Sequence, residues 1–420
     1  MSSENTAIVV GATGILGREI VKELAKDFKK VHALSRSKKD DCPSNVEHNF
    51  IDLTSSAEEM ANTLKGVEAE YIFFAAYLQK DSEQENWDVN GDMLLNYLKS
   101  LELTGAVKHV KRIILVTGCK QYGVHLGQVK NPMLESDPWL RDTSLYPPNF
   151  YYRQQDILRE FCEKSHPEIS WVVTYPNDVI GFANGNFMNL ASGLALYVAV
   201  SKELDSDSKG IVWPGGEAFY TKFDTFTSSK LHAAFCKWAA LTPGTANQAF
   251  NVVNDDVASW QDLWPRVAKR FGTKVREDQF SDSVGVGVKW KSETELPNPP
   301  PIALLAGEIG LRSGGGDDKK VNVPGSKLEQ RVNLTKWSQE KEVKEAWDRL
   351  AEREGLQKDA FEKATWGFLD FILGRNFDVV ASMSKAKRFG WVSPPSIDTW
   401  QALDEVFGEL EEAKVLPARK

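Results

Sequence analysis

Three glycines near the N-terminus constrain this chain more than any other feature. The run Ile8-Val9-Val10-Gly11-Ala12-Thr13-Gly14-Ile15-Leu16-Gly17-Arg18-Glu19-Ile20 sets a GxxGxxG pattern between a short apolar run and an amphipathic stretch. An apolar run of that length reads as a buried strand, and the stretch after it carries helical periodicity. Gly11 permits a tight turn, Gly14 lets the main chain approach a ligand, and Gly17 lets the helix pack close to the sheet. The helix start then aims its unpaired N–H groups at an anion. Strand, glycine turn and helix in this order predict a site for the pyrophosphate of a dinucleotide, with Thr13 and Ile15 beside it.

The rhythm that begins there continues. Strands are expected at Ala7 to Val10, Val31 to Leu34, Tyr71 to Ala76, Ile113 to Thr117 and Trp171 to Tyr175, with helices from about Leu16 to Asp27 and Asn90 to Leu103. Alternation of this kind gives an α/β fold, a Rossmann-type doubly wound parallel sheet. Beyond Asn186 helical patterns take over, at Phe187 to Ser201, Thr225 to Leu241, Trp260 to Phe271 and Phe361 to Gly374. The expected division is a nucleotide-binding domain over 1–185, to which about 219–255 returns, and a smaller, mostly helical C-terminal substrate lobe over 186–420. Within the lobe, 281–327 is rich in proline, glycine and charge, and reads as an insertion, either a lid or a disordered loop.

Composition narrows the function. The 420 residues carry a formal charge of −8 with both signs interspersed, so no basic stripe offers itself to nucleic acid. Leu190 to Val200 is too short to span a bilayer, and the first residues have no secretory pattern. Cys42, Cys119, Cys162 and Cys236 show no CxxC spacing and read as thiols in a reducing compartment, with the cytosol expected. The six histidines show neither HExxH nor HxxxH spacing, so no metal is expected. No GxSxG elbow occurs.

The end of the second strand bears on the choice of cofactor. An Asp or Glu there bonds the ribose 2′-hydroxyl of NAD. This chain has Ser35-Arg36-Ser37-Lys38-Lys39 instead, cationic donors that suit the 2′-phosphate of NADP(H), or a solvated charge run. Asp52, with Leu53, follows the strand-like Phe50-Ile51 and either bonds the adenine amino group or forms a turn.

Catalytic residues are less obvious. Many short-chain reductases use a tyrosine with a lysine four residues later, yet none of the ten tyrosines here has that neighbour. A lysine occurs instead in Thr117-Gly118-Cys119-Lys120-Gln121-Tyr122, just past a strand, and paired tyrosines open a helix in Asn149-Phe150-Tyr151-Tyr152-Arg153-Gln154-Gln155-Asp156. On these segments the chain resembles the progesterone 5β-reductase/iridoid synthase family of extended short-chain dehydrogenases/reductases, whose members carry TGxKxY and NFYYxxED. Further similar segments are Glu83 to Asn86 with Asn90, Gly181-Phe182 through Leu190, Ala249 to Val252, Trp260 to Gly272, Ile372 to Gly374 and Ser382 to Gly390.

The resemblance implies an NADPH-dependent reductase of activated C=C bonds in α,β-unsaturated carbonyl compounds. It implies Tyr151 as catalytic tyrosine, stabilising an enolate oxygen, and Lys120 as its partner, lowering the tyrosine's pKa and holding the cofactor ribose. Tyr77 stands where relatives often carry a pocket tryptophan and is expected to line the substrate site. Ala76, Thr117, Val179 and Met188 are expected along the cofactor. Tyr122 is expected to be structural; His125 either contacts substrate or is a loop residue. Departures occur at Gln155, where relatives have an acid, at Ser37, and in the residues after Lys120; they put steroid and monoterpenoid substrates in question. Competing readings are a carbonyl reductase, epimerase or dehydratase of the same fold, and a non-catalytic NADP(H)-binding sensor. A small enone or enal is the expected partner, with a homodimer possible.

Overall fold

A computed structural model describes residues 4–37, 42–183, 189–281, 289–313, 320–321, 323, 325–394 and 397–419. Strand β1 (Thr6–Val10) runs into helix α1 (Ile15–Ala25), then β2 (Lys30–Ser35), β3 (Val46–Phe50), α2 (Ala57–Thr63) and β4 (Tyr71–Phe74). Helix α3 (Glu83–Thr104), β5 (Arg112–Val116), α4 (Phe150–Arg159) and β6 (Ser170–Pro176) follow. After the short pair β7 (Val179–Ile180) and β8 (Thr227–Ser228), α5 (Leu190–Leu204) and α6 (Glu217–Tyr220) lying between them, come α7 (Ser229–Leu241) and β9 (Gln248–Val252). Seven strands form one parallel sheet in the order β3-β2-β1-β4-β5-β6-β9. The order reverses between β1 and β4, which opens a crevice at their C-terminal ends, where ligands bind in such sheets.

Local chemistry explains the elements. Ala7, Ile8, Val9 and Val10 are wholly buried, as parallel strands covered on both faces require. Helix α1 packs beside α7, and α2, α3 and α4 form another row. Helix α3 starts earlier than its apolar periodicity suggests. Ser82 accepts from the Glu85 N–H while the Glu85 carboxylate accepts from the Ser82 N–H, a reciprocal cap that fixes the first turn. Strand β3, Val-Glu-His-Asn-Phe, is an edge strand whose polar sequence hides it.

A second apolar cluster is built from α5, α8 (Trp260–Arg270) and the helices Leu334–Trp337, Lys341–Glu354, Trp366–Leu373 and Thr399–Glu412. Trp213, Trp260 and Trp264 lie at its centre. Between the last two of these helices the chain goes back to the first core, where Phe389 packs on Phe250 of β9 and Trp391 on Phe235 of α7, a return the sequence did not reveal.

The insertion has regular pairing where it is described. Ser292–Glu295 pairs antiparallel with Lys327–Gln330, and Pro301–Leu305 forms a 3₁₀ turn. The Ile302 N–H donates to Gln128 O and the Gln128 N–H to Ser326 Oγ, so the segment docks on the loop that follows β5. Residues 282–288 and 314–319 lie outside the described part. No helix among the described residues is long and apolar enough to cross a membrane.

Candidate active site

A cavity of about 560 Å³ opens over the C-terminal ends of β1, β4, β5 and β6, within the usual size range of small-molecule sites. At one end lies the glycine turn, with Gly11, Thr13, Gly14 and Ile15 on the wall. Gly11 has φ +84°, and a Cβ there would meet the Ala75 backbone at 2.9 Å, so only glycine fits. Gly17 lies behind the wall. A Cβ on it would come within 2.1 Å of Gly11 O, which shows how tightly α1 presses on the turn. Helix α1 has no side-chain cap at Gly14 and no acidic residue in its first turn, leaving its N–H groups for an anion. These features fit a dinucleotide pyrophosphate.

Ser35 and Arg36 line the next part of the wall. Ser35 Oγ donates to Ser37 O at 2.7 Å and contacts His48 Nε2 at 2.9 Å, so Ser37 shapes the turn from behind. Lys38 and Lys39 lie outside the described residues. Asp52 and Leu53 are also on the wall. Asp52 Oδ1 accepts from the Thr54 N–H at 3.0 Å and the Thr54 hydroxyl at 2.8 Å, which with the nearby Arg36 holds its carboxyl below the usual range. The turn reading of Asp52 therefore holds for one of its oxygens.

The far end of the cavity carries the chemistry-bearing groups. Ala76, Tyr77, Thr117, Lys120, Tyr151 and Val179 all reach it; Met188 lies outside the described residues. Asn149 brings Lys120 and Tyr151 together. As N-cap of α4 its Oδ1 accepts from the Tyr151 N–H at 3.0 Å, and its Nδ2 donates to Lys120 O at 2.7 Å. An asparagine directly before a helix is a sequence-visible signal for this role. Gly118 leaves room for the tyrosine, since a Cβ there would lie 3.2 Å from the Tyr151 hydroxyl. Tyr152 faces elsewhere: its hydroxyl donates to Gln121 O at 2.8 Å, accepts from the Leu140 N–H at 3.0 Å, and its ring stacks on Trp139. The Tyr122 hydroxyl is likewise spent, donating to Asn251 Oδ1 at 2.6 Å in the core.

Burial first, then the phenol of Tyr77, pushes the Tyr151 phenol well above its ordinary value. The Lys120 ammonium stands 3.5 Å from Glu83 Oε1. Burial thus keeps the proton on Tyr151. Burial, with the Lys120 charge beside it, holds His125 neutral, and its buried Nδ1 has no partner.

A cluster invisible in the sequence forms part of the same wall. Arg375 is 2% exposed and bonds both oxygens of Asp178, at 2.6 and 3.2 Å, with Asp224 3.5 Å away. Burial and the neighbouring Asp178 push the Asp224 carboxyl up, while Arg375 pulls it down. Asp178 sits at φ +31°, rare for a residue with a side chain. Phe368 and Phe371 of helix Trp366–Leu373 complete the wall. Among the described residues no cluster of histidine, cysteine and carboxylate side chains is suited to a metal ion.

Fold and site together define a Rossmann-type protein of the extended short-chain dehydrogenase/reductase kind. The solved structure of Bordetella bronchiseptica WbmG, in complex with NAD and UDP, superposes with a TM-score of 0.56 at 13% identity, over 99% of this chain and 97% of that one. Residues 45–328 match the PRISE-like Rossmann-fold domain, well over half of the chain, and the protein belongs to that family. It is 38% identical to an uncharacterised protein of Schizosaccharomyces pombe over 98% of both chains. It is 26% identical to a 3-oxo-Delta(4,5)-steroid 5-beta-reductase of Arabidopsis thaliana, over 93% of this chain and 88% of that one. With an (S)-8-oxocitronellyl enol synthase of Nepeta cataria it shares 30% identity over 66% of this chain and 70% of the other.

Proposed function

We propose that the protein is an NADPH-dependent oxidoreductase that reduces the C=C bond of a small α,β-unsaturated carbonyl compound. The observation that carries this reading is a neutral, half-buried Tyr151 phenol and Lys120 on one wall of a cavity whose other end is a free helix N-terminus. Gly11, Thr13, Gly14 and Ile15 would hold the pyrophosphate, with Gly17 behind them, and Ser35, Arg36 and Ser37 the 2′-phosphate. Asp52 and Leu53 would flank the adenine, and Ala76, Thr117, Val179 and Met188 the remainder of the dinucleotide. The relatives named as a steroid 5-beta-reductase and an enol synthase support the choice of an enone or enal.

A bound NADPH would supply hydride. Addition at the β-carbon shifts the alkene pair onto the carbonyl oxygen as an enolate, and a proton from water at the α-carbon completes the saturated carbonyl. Tyr151 donates its O–H to that oxygen, stabilising charge that is largest in the transition state. Lys120 adds positive charge to the same wall and, through its backbone carbonyl on Asn149, fixes the start of α4. The helices of 186–420 would close over the substrate, with Phe368 and Phe371 against its apolar part.

The test is consumption of NADPH by purified protein with separate panels of enones and ketones. Reduction of enones supports the proposal. Consumption with ketones alone would indicate a carbonyl reductase, and cofactor binding without turnover on any panel member would indicate a sensor.

A further inference from the structure

Tyr77 follows β4 and lies on the cavity wall with its hydroxyl closed off from water and without a hydrogen-bond partner. Leaving such a group unpaired costs about 1–3 kcal/mol, and buried tyrosine hydroxyls usually find an acceptor. The surrounding structure holds the residue in place. Asn90 Oδ1 accepts from the Leu78 N–H at 2.7 Å and its Nδ2 donates to Leu78 O at 2.8 Å, while Asn86 Oδ1 accepts from the Lys80 N–H at 2.8 Å. Gln154, on the same helix as Tyr151, donates to Asn90 O at 3.2 Å, so one asparagine frames both tyrosines. Phe150 bridges them, its ring lying 13° from parallel to Tyr77 at 6.5 Å and 4.5 Å from the Tyr151 ring. Burial keeps both phenols protonated.

We infer that Tyr77 is a second hydrogen-bond donor to the substrate's carbonyl oxygen, forming with Tyr151 a two-phenol oxyanion site. The inference rests on the role proposed for Tyr151 and extends it. A carbonyl oxygen offers two lone pairs, and both gain electron density when the alkene pair shifts towards it. A donor already fixed and desolvated needs no reorganisation at that moment, which is why such groups stabilise the transition state more than the ground state. The substrate would give the Tyr77 hydroxyl the acceptor it lacks, so its unpaired state is relieved on binding.

The experiment uses full-length protein loaded with NADP⁺ and p-nitrophenol as an enolate-like probe, whose phenolate form is followed by absorbance. Tyr77→Phe should weaken phenolate binding by about 10-fold, and Tyr151→Phe by at least as much. Because the Tyr77 hydroxyl is unpaired in the protein, Tyr77→Phe should leave the melting temperature unchanged or raise it, and NADP⁺ affinity should not change. With a reducible enone, kcat should fall about 10- to 100-fold. Phenolate binding that responds to Tyr151→Phe but not to Tyr77→Phe overturns the second donor alone. Binding insensitive to either substitution overturns the proposed role of Tyr151 as well.

Discussion

The two adjacent tyrosines of α4 show how finely the site is decided at the level of single residues. Tyr151 and Tyr152 are chemically identical, yet Tyr152 spends its hydroxyl on Gln121 O and the Leu140 N–H while Tyr151 faces the cavity. Tyr151→Phe should lower kcat for an enone by about 10²–10³-fold, the usual loss for one oxyanion donor. Tyr152→Phe should instead lower stability by about 1–3 kcal/mol, through two unpaired backbone groups, with kcat changed little. Steady-state kinetics and urea unfolding of both variants check this, and the reverse order would contradict it. The pH profile follows from the same geometry. The phenol's pKa is raised, so the protonated form that the proposal requires persists throughout the neutral and mildly alkaline range; kcat should show no alkaline loss from Tyr151 below its ordinary value of 10.0. Arg36→Ala should raise the KM for NADPH about 10- to 100-fold, the worth of one charge-assisted hydrogen bond, while leaving the KM for NADH nearly unchanged.

Elements carry the next set of consequences. Gly17→Ala drives a Cβ into Gly11 O, so α1 must back away from the turn; overpacking of this kind costs about 1–3 kcal/mol, and dinucleotide affinity should fall with it in a fluorescence titration. Helix α7 carries the wholly buried His232, which contacts Thr174 Oγ1 at 3.0 Å and whose pKa burial pushes down to about 3. The unfolded chain takes up that proton below its ordinary 6.5 and the folded chain does not, so stability is full above 6.5 and declines as pH falls towards 3. The loss is about 1.4 kcal/mol per pH unit, and urea unfolding of His232→Gln should lack this contribution. Elements also show what could be read in advance. The buried strands β1, β2 and β4 to β6 announce themselves as apolar runs, and the three glycines announce the turn between β1 and α1. Strand β3 does not, because an edge strand can be polar, and β9 was marked only by resemblance. The docking of the insertion's described residues was hidden because its hydrogen bonds also run to a distant loop, around Gln128.

For the molecule as a whole, Arg375 is the joint between the C-terminal helices and the end of the sheet. It reaches Asp178 after β6 and Asp224 before β8, three positions with no pattern linking them in the sequence. Burial of an unpaired carboxylate is expensive, so Arg375→Met should destabilise the protein by about 3–5 kcal/mol. The lowered melting temperature should be partly restored by adding Asp178→Asn, which removes the stranded charge. The same long-range closure explains why Tyr151 and Lys120 could be named from motifs, whereas the Arg375 cluster emerged only once the chain was folded. The account depends above all on where hydride goes. With NADPH deuterated at the transferred position of the nicotinamide and an enone as acceptor, mass spectrometry and NMR of the product should find deuterium on the β-carbon of a saturated carbonyl compound. Deuterium on a carbinol carbon, with the alkene intact, would contradict it.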